Sequence, residues 1–145
     1  MKSFVISLAI FFSTGAQAKI HMVKMLNTGK DGVMAFEPGF IKASVGDTIN
    51  FIPTDSSHAT NSILTPNKGV TWNGQLNKKV TVTMNKEGVY IYECQPHSLM
   101  GMVGVIQVGK PHNLETAKKF AQEYSKKIVL PANKSRLEKY LSKVN

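Results

Sequence analysis

The sequence predicts an all-β sandwich followed by two short α-helices. Three observations carry that expectation. From Lys19 to about Gly109 short strand-like runs are separated by dense turn chemistry, and side chains within those runs alternate with a period of two. After Gly109 the apolar spacing changes to the helical one. With 145 residues and 42% hydrophobic side chains the chain has room for one compact domain, and a second catalytic domain is not expected.

The first segment, Met1 to Ala18, is set apart from that fold. Lys2 precedes an apolar run of nine residues, Phe4 to Phe12, and Ala16-Gln17-Ala18 forms a small-residue cleavage pattern. A membrane span needs ~20 apolar residues, so the segment reads as a secretory signal cleaved after Ala18 rather than as an anchor. The expected organisation is therefore a signal over 1–18, a β domain over 19–109 and a helical extension over 110–145. Export to the periplasm follows, without membrane insertion of the mature chain.

Six strand-like runs are legible: Ile20 to Leu26, Phe36 to Ala43, Thr48 to Pro53, Lys79 to Met84, Val89 to Cys94, and Met102 to Val108. Between them lie Asn27-Thr28-Gly29, Lys30-Asp31-Gly32, Val45-Gly46-Asp47, Pro66-Asn67-Lys68-Gly69 and Asn85-Lys86-Glu87-Gly88, where Gly or Asn supplies the backbone freedom of a turn. Val80, Val82 and Met84 share one face of their strand, and Tyr90, Tyr92 and Cys94 one face of theirs. Beyond Pro111 a helix is expected through Leu114, Ala117, Ala121, Tyr124 and Ile128, with Asn113 as its N-cap and Pro131 as its end. Asn133 is placed as the cap of a second helix, with Leu137, Tyr140, Leu141 and Val144 on its apolar stripe. Helices this short do not stand alone, so both are expected to pack on the sandwich.

Charge and cysteine usage narrow the function. The formal charge is +9, and loss of Lys2 with the signal leaves 17 basic against 9 acidic side chains. Acidic partners are implied. The lysines are scattered and no aromatic-interleaved basic stripe is present, so nucleic acid is not expected. Cys94 is the only cysteine, which excludes a disulfide scaffold. A lone thiol in an oxidising compartment is a liability unless it is buried, catalytic or bound to metal.

The residues after Cys94 decide among those roles. Gln95-Pro96-His97-Ser98-Leu99-Met100-Gly101-Met102 places an imidazole at +3 and a thioether at +8. A thiolate, two imidazoles and a weak axial thioether suit copper in both oxidation states. The second imidazole must come from His21, His58 or His112. His21 lies near the processed terminus and His112 in the sandwich-to-helix linker, where exposed structural roles suit both. His58 follows Phe51-Ile52-Pro53-Thr54-Asp55, where a strand gives way to a loop that can reach the same end of the sandwich as Cys94. Pro96 stiffens the loop and withholds a backbone N–H beside the site.

The Cys-x-Pro-His-x-x-Met-Gly-Met loop resembles that of the cupredoxins, and further segments narrow the likeness to the pseudoazurin family. They include Met25-Leu26-Asn27, Gly29-Lys30-Asp31-Gly32, Phe36-Glu37-Pro38, Val45-Gly46-Asp47-Thr48, Phe51 to Asp55 and Met100 to Val105, together with the two C-terminal helices. The resemblance implies an eight-stranded Greek-key sandwich holding one type 1 copper ion through His58, Cys94, His97 and Met102. It implies an electron carrier that cycles Cu(II)/Cu(I), not an enzyme. It places Met34 close to the His97 ring, and Met100 and Leu99 with Pro53 and Pro96 on the surface around that ring. One residue departs from the family pattern: Ala59 stands where Asn typically follows the first ligand histidine and ties the two ligand loops together. Thr60, Asn61 or backbone amides alone are the expected substitutes, with an altered reduction potential or a more mobile site as the consequence.

By the same resemblance a copper or cytochrome nitrite reductase is the expected acceptor, and a cytochrome or dehydrogenase the donor, with the carrier acting as a monomer. Thr28, Ser56 and Glu93 occupy positions where relatives often carry lysine, so Lys30, Lys68, Lys78 and Lys79 are expected to carry the positive field instead. The alternative function is a periplasmic copper chaperone or storage protein, because methionine-rich segments also bind Cu(I). An intense visible thiolate band distinguishes the carrier.

Overall fold

A computed structural model describes residues 17–145. Residues 1–16, most of the expected signal segment, lie outside the described residues. Two four-stranded sheets face each other, one in the order β2-β1-β4-β6 and the other β3-β8-β7-β5. The strands are β1 (Ile20–Gly29), β2 (Gly32–Glu37), β3 (Phe40–Ala43), β4 (Thr48–Pro53), β5 (Asn61–Leu64), β6 (Val80–Thr83), β7 (Gly88–Glu93) and β8 (Val103–Val108). The β1–β4 and β3–β8 pairs are parallel and the rest antiparallel. Eight strands and the sandwich class agree with the sequence expectation.

The helices α1 (Leu114–Ser125) and α2 (Arg136–Leu141) make a third layer. They cover the outer face of the second sheet, which is why β7 and β8 are buried on both sides. Along β7, Tyr90 and Tyr92 point with Cys94 into the inter-sheet core, while Val89 and Ile91 face the helices. Along β8, Ile106 and Val108 belong with the preceding Met102 to the inter-sheet core, and Val103 and Val105 to the helical one. Period-two alternation thus feeds two separate cores from a single pair of strands. Ala117 and Ala121 of α1 let that helix approach closely, and Ile128, Leu137 and Tyr140 complete the layer. Any side chain at Gly39 would run into the Tyr140 ring, so that glycine is what allows α2 to settle.

Four sequence expectations need correction. The single run Phe36–Ala43 is two strands in different sheets, because Pro38 lacks the N–H that would continue the ladder and the chain crosses over at Pro38-Gly39. Strand β5 was not expected; Asn61-Ser62-Ile63-Leu64 is half-buried throughout and carries no alternation, yet it pairs with β7 at the sheet edge. The first helix ends at Ser125, before Ile128 and well before Pro131.

Asn113 and Asn133, the expected N-caps, make no capping bond. The Asn113 side chain instead accepts from Val89 N–H and donates to Val89 C=O, tying the start of α1 to β7. Asn133 lies in a 3-10 turn, Ser135 occupies the cap position of α2, and the Asn133 side chain is buried elsewhere. In both cases a tertiary partner outcompetes the local one.

Candidate metal centre

The Cys94 end of the sandwich is built by a closed loop. Cys94 N–H donates to Met102 C=O at 2.9 Å, continuing the β7–β8 ladder by one pair across the loop mouth. Inside it Gln95–Met100 forms a 3-10 stretch, with His97 N–H on Cys94 C=O at 2.9 Å and Gly101 N–H on Ser98 C=O at 3.0 Å. Gly101 reverses the chain at φ 73°, in the left-handed region that a side chain would disfavour. Cys94 and Met102 therefore enter the same core, both with no solvent exposure. Phe36 and Phe51 pack edge-on against Tyr92, with ring centroids at 4.7 and 4.9 Å, so the strand leading to Cys94 is held from two sides.

His58 arrives from the loop after β4. Asp55 N–H donates to Met25 C=O and Asn27 N–H donates to the Asp55 carboxylate, pinning the loop to β1. Asn77 holds it from the other side: its N–H bonds His58 C=O at 2.7 Å, and its Oδ1 accepts from Ser57 N–H. The buried imidazole donates Nε2–H to Asn27 Oδ1 at 3.0 Å, which leaves Nδ1 with a free lone pair. Burial, with His97 nearby, pulls His58 below the usual imidazole range, and the neutral ring is the form a metal needs.

One donor atom each from His58, Cys94 and His97 falls within 4.8 Å of the others. Cys94 Sγ lies 3.7 Å from His58 Nδ1 and 3.4 Å from His97 Nδ1. A first-row ion at the centre of a trigonal plane, with bonds of about 2.1 Å to nitrogen and about 2.3 Å to sulfur, separates N from S by roughly 3.8 Å. The spacing fits such an ion. Burial pushes the Cys94 thiol up, against hydrogen bonds from the Ala59 and His97 amides, so a cation among the three donors is what favours the thiolate. Two imidazole nitrogens, a thiolate and a buried thioether form a donor set suited to copper. His21 and His112 stand elsewhere: His21 is half-buried against Asp47, and His112 is exposed near Glu87.

At Ala59 only the backbone reaches the sulfur. Ala59 is buried and its N–H donates to Cys94 Sγ at 3.5 Å. The neighbouring side chains are committed elsewhere: Thr60 Oγ1 accepts from the Trp72 indole, and Asn61 Nδ2 donates to Glu93. Of the other expected residues, Met34 is half-buried at φ 49° and packs against the core that contains Cys94 and Met102. Pro53 is half-buried at the end of β4, Pro96 and Leu99 are exposed, and Met100 is half-buried. Asn27 and Asn77 were not singled out as site residues from sequence; Asn27 is visible only as part of a turn, and Asn77 carries no signal of its own.

A family model described as copper binding proteins, plastocyanin/azurin family, matches residues 23–109. The chain is 45% identical to a pseudoazurin from Paracoccus pantotrophus over 70% of its own length and 72% of the relative's. It is 39% identical to a pseudoazurin from Methylorubrum extorquens, covering 78% of each. The structure superposes on that of native pseudoazurin from Hyphomicrobium denitrificans with a TM-score of 0.77, at 40% identity, covering 87% of this chain and 98% of the other. With the donor set, the sandwich and the helical layer all in agreement, the chain belongs to the plastocyanin/azurin family of copper-binding proteins and, within it, to the pseudoazurins, which are blue-copper electron carriers.

Proposed function

We propose that this carrier works in the periplasm, after cleavage behind Ala18, and passes single electrons to an acidic redox enzyme such as a copper or cytochrome nitrite reductase. A cytochrome or dehydrogenase refills it, and the working form is a monomer. Bound copper supplies the one-electron couple. The observation that carries the reading is the unequal burial of the ligands: His58, Cys94 and Met102 are sealed from solvent, whereas His97 is half-buried. Electrons therefore have one short exit, through the His97 ring.

In the same loop Leu99 is 56% exposed, Pro96 exposed and Met100 half-buried, and Pro53 at the end of β4 is half-buried. An apolar rim of this size suits brief, dry contact. Lys30, Lys78 and Lys79 are exposed on segments that reach the copper end, whereas Lys68, also exposed, is tied to Asn85 at the opposite end of the sandwich and adds only to the long-range field. Glu93 keeps its negative charge beside the loop, its carboxylate held in place by Asn61 and by the Tyr124 hydroxyl. Long-range attraction of an acidic partner raises the encounter rate more than the final affinity.

Cleavage after Ala18 gains support from the other end of the molecule. The Lys19 amide already lies 2.8 Å from a carboxylate oxygen of buried Asp47. A new α-ammonium there would meet an opposite charge.

Stopped-flow oxidation of the reduced copper protein by a nitrite reductase, over a salt series, tests the reading. The rate should fall steeply as salt rises and drop about tenfold in Leu99→Glu. A salt-independent rate, or a Leu99→Glu variant as fast as the parent, would sink it. Fractionation with N-terminal sequencing should find Lys19 first. A Cu(I)-only preference with no visible thiolate band would instead favour storage.

A further inference from the structure

Three successive carbonyls of the ligand loop, Leu99 to Gly101, lead directly into Met102, and each is taken by the C-terminal extension. Val129 N–H reaches Leu99 C=O at 2.8 Å, Asn133 Nδ2–H reaches Met100 C=O at 2.8 Å, and Arg136 Nη1–H reaches Gly101 C=O at 2.9 Å. The same two polar side chains also grip the β1–β2 hairpin. Arg136 donates to the carbonyls of Asp31, Val33 and Met34, and Asn133 to that of Val33. Arg136 further donates to Asn133 Oδ1 at 2.6 Å, so the pair acts as one unit.

Arg136 is 4% exposed and Asn133 2%. Arg136 is also the only arginine among 18 basic residues. Burying a guanidinium is expensive, and an apolar residue would hold α2 on its sheet at least as well. An apolar residue, however, cannot satisfy a fan of carbonyl oxygens, and neither can a lysine, which has a point charge where arginine has a planar fork. Both anchored segments lie against the copper site. One ends in Met102; the other carries Met34, whose left-handed backbone places its carbonyl on Arg136, and is continuous with β1 and Asn27.

We propose that Arg136, with Asn133, is a positioning residue pair for the copper centre: the C-terminal extension is a clamp that fixes the Met100–Met102 end of the ligand loop against the β1–β2 hairpin. Met102 is then held at its distance from the metal by a helix far along the chain, and the cation sets the balance between Cu(II) and Cu(I) without touching either.

The test compares Arg136→Gln, Arg136→Lys and Asn133→Ala with Tyr140→Phe. The last removes a 2.8 Å bond from α2 to the Asp31 carboxylate and leaves the loop carbonyls alone. Expected in the first three is a changed ratio of visible thiolate bands, altered EPR parameters, and a shift of at least threefold in the Cu(II):Cu(I) binding ratio, about 28 mV for one electron. Tyr140→Phe should lower the melting temperature with spectrum and potential unchanged. In the metal-free protein the Gly101 amide should exchange at least tenfold faster in the Arg136 variants. If Arg136→Gln fails to fold, Arg136→Lys and Asn133→Ala carry the test. Loop variants with parental spectra, potential and Gly101 exchange, at any loss of stability, would overturn the proposal.

Discussion

Strand β4 runs between two buried ionisable side chains that the fold treats in opposite ways. At its start Asp47 is 4% exposed and fully partnered, by the Lys19 and Ser44 amides and by His21 Nε2. Beyond its end His58 has no exposure, and only its outer nitrogen is partnered. At the first end the protein completes the charge itself. At the second it leaves the lone pairs of His58 and His97 and the Cys94 sulfur facing one another, an arrangement that an ion completes. Burial is thus the same on both sides, while satisfaction is withheld where function needs it.

Substitutions at the copper end should break this contrast most strongly. Cys94→Ser removes the soft anionic donor, and the intense visible band should vanish entirely on titration with Cu(II). Asn27→Ala leaves the His58 Nε2–H without its partner and frees the ring to rotate. Copper affinity, measured by competition with a chelator, should fall 10–100-fold, on the order of the usual effect of losing such a support.

The Asp47 end should show its effect in pH rather than in copper binding. Burial alone would raise the Asp47 carboxyl, but the Lys19 amide, His21 and the Ser44 amide outweigh it and hold the group at about 2. A carboxyl depressed below its unfolded value stabilises the fold above the unfolded pKa and loses that contribution as pH falls through the folded one. Denaturant melts should therefore show a loss on the order of 2 kcal/mol between about pH 4 and pH 2. Asp47→Asn should remove that slope and leave the visible spectrum unchanged. A slope that persists in Asp47→Asn would assign it to other carboxylates.

Ala59→Asn should have the smallest effect. The backbone N–H already meets Cys94 Sγ, so an added amide side chain tunes rather than creates the site. Voltammetry should show a modest shift in potential with the band position nearly kept. Identical potentials would mean that the amide alone sets the sulfur's environment.

The two ligand segments differ in how openly they can be read. Cys94, His97 and Met102 lie in one short loop, and their spacing is itself the chemical message. His58 stands alone, so only the cysteine loop elsewhere in the chain favoured it over His21 and His112. Its supports Asn27 and Asn77 come from two further segments, and nothing local marks them. Asn113 and Asn133 show the opposite failure, since their local signal was clear and misleading. Each sits before an apolar helical stripe as a cap should, yet each finds a better-placed carbonyl or amide across the fold. Strand β5 was missed because an edge strand half-buried on both faces has no alternation to display.

The sequence by itself determined the sandwich class, the helical layer and the Cys94–His97–Met102 donor loop with its copper chemistry, because periodicity and donor type are properties of neighbouring residues; His58 was fixed only by the resemblance of the whole chain to its family. Tertiary structure alone decided that the Ala59 backbone N–H meets the Cys94 sulfur, that one strand run divides between two sheets, and that Arg136 and Asn133 reach back to the ligand loop. Those outcomes depend on which buried donor lies nearest to which buried acceptor, and that is settled only when distant segments are packed together.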